Sequence, residues 1–148
     1  MNGYLFKKIG LASDHAGFER KEEVKNYLIK QGCEVQDMGT FTGDRCDYPD
    51  YGHRLAEAVE KGECEVGIAV CGSGNGINMT VNKHKGIRGA LCWNVEIARL
   101  ARGHNDANIC SLPGRFVSGE EACRIVDAFL SSPFEGGRHK IRIDKIGC

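Results

Sequence analysis

The run Cys71-Gly72-Ser73-Gly74-Asn75-Gly76 sets a thiol and a hydroxyl among alternating glycines. It follows the apolar stretch Val66-Gly67-Ile68-Ala69-Val70, which reads as a buried strand. It precedes Ile77, Met79 and Val81, which read as a short helical turn. Glycines let backbone N–H groups converge on one point, because no side chain blocks them and positive φ costs little. The helix that follows adds its positive end, which favours anions and thiolates. A nucleophile or base beside an anion hole suits a reaction that removes a proton and builds negative charge on oxygen. Cys71 also has a plainer reading, as a core cysteine at a strand end. The glycine spacing does not match the dinucleotide pattern Gly-x-Gly-x-x-Gly. A Cys-x5-Arg phosphatase loop would need Arg where Ile77 stands.

Four more segments are dense in polar groups. They are Ser13-Asp14-His15-Ala16-Gly17, Asp47-Tyr48-Pro49, Gly103-His104-Asn105-Asp106, and Glu135-Gly136-Gly137-Arg138-His139 with Arg142 beyond. Asp14 reads either as a ligand group or as a cap for the helix that begins near Gly17. Tyr48 is either a pocket wall or a turn-flanking aromatic. His104 follows a helix, where it either caps the C-terminus or moves protons near neutral pH. Asp106 either orients His104 or closes a turn. His15, Arg115, Arg138 and Arg142 are the anion candidates, with simple solvation as the alternative for each arginine. Arg138 and Arg142 are four apart and share one side of a helix. Two planar guanidiniums on one phosphate give strong charge-assisted hydrogen bonds.

The elements that must position these groups are regular. Lys8 to Ser13, Glu34 to Asp37, 65–71, Ile87 to Cys92 and Asn108 to Leu112 read as strands. Phe18 to Gln31, Tyr51 to Lys61, Val95 to Arg102 and a segment running to Leu130 read as helices; the last opens on a capping-box pair, Ser118 and Glu121. Met38 to Pro49 reads as a loop, and the tail from Phe134 is basic with room for another helix. Alternating strands and helices imply a three-layer αβα sandwich around a five-stranded parallel, Rossmann-like sheet. Such sheets bind ligands at the carboxyl ends of their strands, so Asp14, His15 and Cys71 are expected on one rim.

The chain has 148 residues, which suits one domain with a proper core. Lys plus Arg and Asp plus Glu both number 20, a balance that argues against a general nucleic-acid binder. No stretch approaches a membrane span, and the segment 1–8 does not read as a signal peptide, so a cytoplasmic location is expected. Cys33, Cys46, Cys64, Cys71, Cys92, Cys110, Cys123 and Cys148 form no Cys-x-x-Cys pair, and most read as buried thiols rather than as disulfides.

Taken together, the five polar segments resemble, in order and spacing, the ribose-5-phosphate isomerase B family, which also includes the galactose-6-phosphate isomerase subunits. The likeness covers nearly the whole chain. It implies an aldose–ketose isomerase that passes D-ribose 5-phosphate to D-ribulose 5-phosphate through a cis-enediol, with no metal or cofactor. It implies that Cys71 moves the proton between C2 and C1. Some members use a loop Glu instead, but Asn75 and Ile77 stand at the candidate positions and neither is a base. Ser73, where many relatives carry Thr, would exchange protons between the enediol oxygens. The N–H groups around Gly72, Gly74, Asn75 and Gly76 would hold the enediolate. His104 would open the furanose ring, with Asp14 near the ring oxygen and Asn105 on the substrate. Tyr48 would wall the pocket, and His15, Arg115, Arg138 and Arg142 would bind phosphate.

Topology adds one expectation. His104 precedes the fifth strand and Cys71 ends the third, so they fall at opposite ends of the sheet. A five-residue strand spans roughly 17 Å, too far for one sugar to touch both. The resemblance implies a homodimer, so the expected site is shared, Cys71 of one subunit facing His104 of the other. Residues 134–148 are then expected to pack across the dimer, and a tetramer is left open. Two alternatives stand beside this reading. One is the same chemistry on allose 6-phosphate or galactose 6-phosphate. The other is a non-catalytic module that holds a phosphosugar or nucleotide.

Overall fold

The computed structural model describes residues 2–147. The elements run β1 (Lys8–Ser13), α1 (Phe18–Lys30), β2 (Glu34–Asp37), α2 (Tyr48–Glu60), β3 (Val66–Cys71), α3 (Asn75–Val81), β4 (Gly89–Leu91), α4 (Val95–Gly103), β5 (Ile109–Pro113), α5 (Gly119–Ser131) and α6 (Arg138–Ile143). All strand pairs are parallel, in the order β2-β1-β3-β5-β4. The expected αβα sandwich is therefore present. Ser13 pairs with Val70, and Cys71 with Pro113, so β1, β3 and β5 end level with one another.

Alternation along β3 divides the core. Val66, Ile68 and Val70 point to the layer that holds Val24, Leu28, Ile125 and Phe129 of α1 and α5. Ala69 and Cys71 point to the opposite layer, with Leu55, Ala58, Ile77 and Val81 of α2 and α3. This follows from the two-residue period of a strand covered on both faces. The second layer sits close to the sheet. A Cβ at Gly67 would lie 2.8 Å from Leu55 Cδ1, and one at Gly10 2.7 Å. The two glycines let the buried Leu55 seat α2 directly on β1 and β3, a burial that stabilises by about 1.5–3 kcal/mol.

Two boundaries differ from the expected ones. The fourth strand is only Gly89–Leu91, because the chain before it is held by loop bonds: Ile87 N–H donates to His84 O, and Arg88 N–H to Asn108 Oδ1. Helix α2 begins at Tyr48 rather than Tyr51. Pro49 sits in its first turn, where a missing N–H breaks no helical bond and the fixed φ suits the helix. The cap of α5 is as read, with Glu121 N–H donating to Ser118 Oγ at 3.1 Å. Cys64, Cys71, Cys92 and Cys110 are buried; Cys33, Cys46 and Cys123 are partly so, and all seven are free. Cys148 lies outside the described residues.

One ion pair ties the carboxyl end of β2 to α1. Lys21 is fully buried, and its Nζ lies 2.7 Å from Asp37 Oδ2 and 2.8 Å from Glu22 Oε2. The rings of Phe18 and Phe41 flank the ammonium at 5.4 and 5.8 Å. Asp37 also accepts from Gly39 N–H at 2.9 Å, and Gly39 O in turn accepts from Ser13 N–H at 2.7 Å. The pair thus anchors the loop that carries Asp47 and Tyr48 back to the end of β1. Burial alone would push the Asp37 carboxyl up; bonds from Lys21, Gly39 N–H and Lys25 outweigh it and hold the group below the usual carboxylate range.

A native pKa below the unfolded value gives stability that is present above the unfolded pKa and lost as pH falls through the native one. Asp37→Asn leaves Lys21 buried with only Glu22, and is expected to cost about 3 kcal/mol at neutral pH. The gap between variant and parent should close as pH drops below about 4. Urea unfolding of both proteins over a pH series reads the difference.

Candidate active site

The carboxyl ends of β1, β3 and β5 meet at the loop 72–76. Asp14 N–H donates to Val70 O at 3.3 Å, Gly114 N–H to Cys71 O at 2.9 Å, and Arg115 N–H to Gly72 O at 3.0 Å. Gly74 is left-handed, with φ +79, and a Cβ there would lie 2.5 Å from Leu91 Cδ1 and 3.0 Å from the Leu112 carbonyl. Only glycine satisfies both conditions. Gly76 lies under the Tyr48 ring, so close that a Cβ would meet Tyr48 Cζ at 2.5 Å. Cys71 is 4% exposed at the base of this loop, while Ser73 and Asn75 are both exposed. Asn75 N–H donates to Ser73 Oγ at 3.2 Å. The result is a nearly buried thiol under a loop of small residues, with an aromatic wall on one side.

Asp14 and His15 lie on the same rim, as expected. The buried Asp14 carboxylate accepts from Gly17 N–H at 2.9 Å, which closes the turn into α1; the helix itself starts from Gly17 without a side-chain cap. His15 Nδ1 lies 3.2–3.3 Å from the backbone O and N of Cys46, which fixes the ring against the loop before Tyr48. The Arg115 side chain covers Gly72, where a Cβ would come within 3.3 Å of Nη1. The rim therefore gathers Asp14, His15, Tyr48, Cys71, Ser73 and Arg115.

The remaining candidates form a second group at the other end of the sheet. His104 caps the C-terminus of α4, its N–H donating to Leu100 O at 2.8 Å, five residues before β5 begins. Cys71 pairs with the last residue of β5, so the two groups are separated by the whole strand. Arg138 and Arg142 stand exposed on α6. Asn105 adjoins a surface groove of ≈ 700 Å³ lined also by Lys83, Lys85, Arg88 and Ile146.

Asp106 does not face His104. Its carboxylate bridges Arg88 Nη2 at 3.2 Å and Arg102 Nη1 at 2.8 Å, and it holds a positive φ of 47 at the turn into β5. Two other residues surround the imidazole. His139, 6% exposed, stacks on His104 with ring centroids 4.1 Å apart and planes 14° from parallel. Glu135 lies 3.7 Å from His104 Nε2 through one carboxylate oxygen and 3.7 Å from His139 Nε2 through the other. Burial first, then His104 and Arg138, push the His139 imidazole below its ordinary value; Glu135 pulls the other way. These two residues sit in a segment whose polar density is visible in the sequence, four apart like Arg138 and Arg142. What the sequence hides is that the glycine pair 136–137 folds them onto a histidine more than thirty positions away.

The ligand atoms of His104, Glu135 and His139 lie within 4.8 Å of one another. They do not make an ion site as arranged. A metal sits in the plane of each ligating imidazole, and planes about 4 Å apart and nearly parallel meet far beyond the ~2 Å bond of a zinc–histidine contact.

The family model described as Ribose/Galactose Isomerase matches residues 9–146. The chain is 44% identical over 140 residues to ribose-5-phosphate isomerase B of Escherichia coli, covering 95% of this chain and 94% of that protein. Among solved structures, a ribose 5-phosphate isomerase from Thermotoga maritima superposes with TM-score 0.94 at 51% identity, over 97% of this chain and 99% of that one. Ribose-5-phosphate isomerase B from Mycoplasma genitalium, solved with ribulose-5-phosphate bound, superposes with TM-score 0.90 at 43% identity, over 93% and 92% of the two chains.

Gly74→Ala tests the loop. A side chain in the left-handed region costs about 1–2 kcal/mol, and the clash with Leu91 and the Leu112 backbone adds to it. The expected outcome is a loss of about 2–4 kcal/mol in urea unfolding, with the melting temperature falling accordingly.

Proposed function

The chain belongs to the Ribose/Galactose Isomerase family, and from that membership we propose that its two groups of residues are the halves of one isomerase site. The protein is an aldose–ketose isomerase that interconverts D-ribose 5-phosphate and D-ribulose 5-phosphate. The observation that carries the assignment of its chemistry is Cys71, an almost buried thiol at the base of a glycine loop that opens helix α3.

In this reading the sugar is first opened at the His104 end. His104 takes the proton from the anomeric hydroxyl and returns it to the ring oxygen, with Asp14 and Asn105 holding the sugar. Cys71 then removes the C2 proton, and charge moves to O1. The loop N–H groups around Gly72, Gly74, Asn75 and Gly76 stabilise the enediolate where it forms. Ser73 exchanges the proton between O1 and O2, and the proton on Cys71 returns to C1. Tyr48 closes the pocket. Arg115 and His15 approach the phosphate from the Cys71 side, Arg138 and Arg142 from the His104 side. No step requires a metal or a cofactor.

One protomer cannot bring both ends to one sugar, because β5 lies between them. The working unit is therefore a homodimer with two shared sites, and residues 134–148 carry Arg138 and Arg142 towards the partner's Cys71. The sugar-phosphate substrate fits an enzyme of the cytoplasm.

Two experiments test this. Purified protein in chelator is expected to turn over ribose 5-phosphate, and Cys71→Ala to lose about 10²–10⁴ of kcat while calorimetric binding of the sugar survives. Failure of the wild-type protein to turn over the pentose would overturn the assignment. Cys71→Ala and His104→Ala proteins, each inactive alone, should recover about a quarter of wild-type activity when unfolded and refolded together, since half the dimers are mixed and each carries one intact site. No recovery would place both residues in a site within one chain.

A further inference from the structure

His104 is held by more than its own helix. Glu135 N–H donates to Gly103 O at 3.0 Å, so the backbone of Glu135 is tied to the residue next to His104. The Glu135 carboxylate occupies the space over Gly103, where a Cβ would lie 2.8 Å from Oε2. That oxygen is the one facing His104 Nε2. Beneath the ring, His139 stacks on the imidazole plane; its own side chain is buried, and its backbone N–H donates to Gly136 O at 3.1 Å. Three features thus converge on one histidine: a carboxylate at one nitrogen, a stacked ring below, and a glycine that makes room for the carboxylate. A simple C-terminal cap needs none of them.

We infer that Glu135 is the positioning residue for His104: it holds the tautomer with hydrogen on Nε2, steadies the imidazolium formed during ring opening, and leaves Nδ1 to face the sugar. The logic is that of any acid–base histidine, whose working nitrogen is set by what the other nitrogen meets. At 3.7 Å the carboxylate stands just beyond hydrogen-bond reach of Nε2, and contacts of this kind tighten in a substrate complex. In the step itself the proton leaves O1 for His104, the bond from C1 to the ring oxygen breaks as the C1–O1 double bond forms, and His104 delivers the proton to the ring oxygen. Glu135 exchanges no proton with the substrate.

This inference rests on the isomerase reading, and the chemistry of the two sugars separates it from that reading. Ribulose 5-phosphate cannot close a furanose ring, because the oxygen that would attack C2 carries the phosphate. Exchange of its C1 hydrogen with solvent deuterium therefore needs Cys71 and the glycine loop but no ring opening. Glu135 is 59% exposed at its side chain, so Glu135→Gln is expected to keep the fold, which its melting temperature checks. The variant should convert ribose 5-phosphate about ten- to a hundredfold more slowly, part of the roughly 10²–10⁴ that a positioned acid–base group supplies. Its deuterium exchange into ribulose 5-phosphate should match the parent's. Undiminished conversion, or loss of conversion and exchange together in a folded protein, would overturn the inference while leaving the isomerase reading intact. A wild-type protein that neither converts nor exchanges would overturn both.

Discussion

Three loops press backbone against backbone at the carboxyl ends of β1, β3 and β5, and the rest of the molecule depends on that contact. Gly17 lies against the Val70 carbonyl, Gly114 beside Cys71 O, and Gly74 against the Leu112 carbonyl. A side chain at any of these places would separate two of the loops. Hydrogen bonds from Asp14, Gly114 and Arg115 then join them into one unit. The thiol, the Asp14 carboxylate and the Arg115 guanidinium are consequently set by the sheet rather than by flexible surface chain. Sites held by rigid elements keep reacting groups within the few tenths of an ångström that proton transfer requires.

The opposite end of the sheet is built differently. Helix α6 has six residues and turns inwards only His139 and Ile143, while its arginines remain exposed. The segment is anchored through polar contacts to the end of α4: Glu135 on the Gly103 carbonyl and His139 on the His104 ring. A short helix of this kind has little apolar area to bury, so a second surface that covers its basic side would add what the single chain lacks. The placement fits a division of labour. On the proposed mechanism the rigid end handles carbanion chemistry, in which charge meets the backbone amides of the glycine loop. On the same reading the His104 end opens the ring, and both ends contribute side chains to the phosphate.

Much of this was legible in the sequence. The β3–glycine loop–α3 run announces itself through Val66 to Gly76, and the parallel sheet follows from the alternation of elements. The shared rim of Asp14 and Cys71, and the opposite position of His104, follow from chain order alone. The rest depends on contacts between distant segments. Pro49 hid the first turn of α2, because proline punctuates loops as often as it starts helices. Edge strand β4 is short because Asn108 and His84 capture the backbone before it, and neither residue type signals that. Asp106 is the nearest acid to His104 in sequence, yet Arg88 and Arg102 claim its carboxylate and turn it away. The acid that does face His104 is Glu135, which arrives from the far end of the chain.

The protein also shows two ways to place a reactive or charged atom in its interior. Asp37 is 11% exposed at its side chain, and Lys21, Lys25 and the Gly39 amide offset the cost of burying its charge. Such a cage fixes a loop, but it would defeat a base, whose lone pair must be free for the substrate. Cys71, the proposed base, is buried among Ala69, Leu55 and Ile77. A thiol packs there as a small apolar group and needs no counter-ion to be buried. A carboxylate at that position would call for a cation like Lys21, and the cation would occupy the space the proposed mechanism gives to the enediolate. On the proposed mechanism the glycine loop supplies the compensating dipoles from the backbone instead. The choice of cysteine and the density of glycine around it are thus two parts of a single solution.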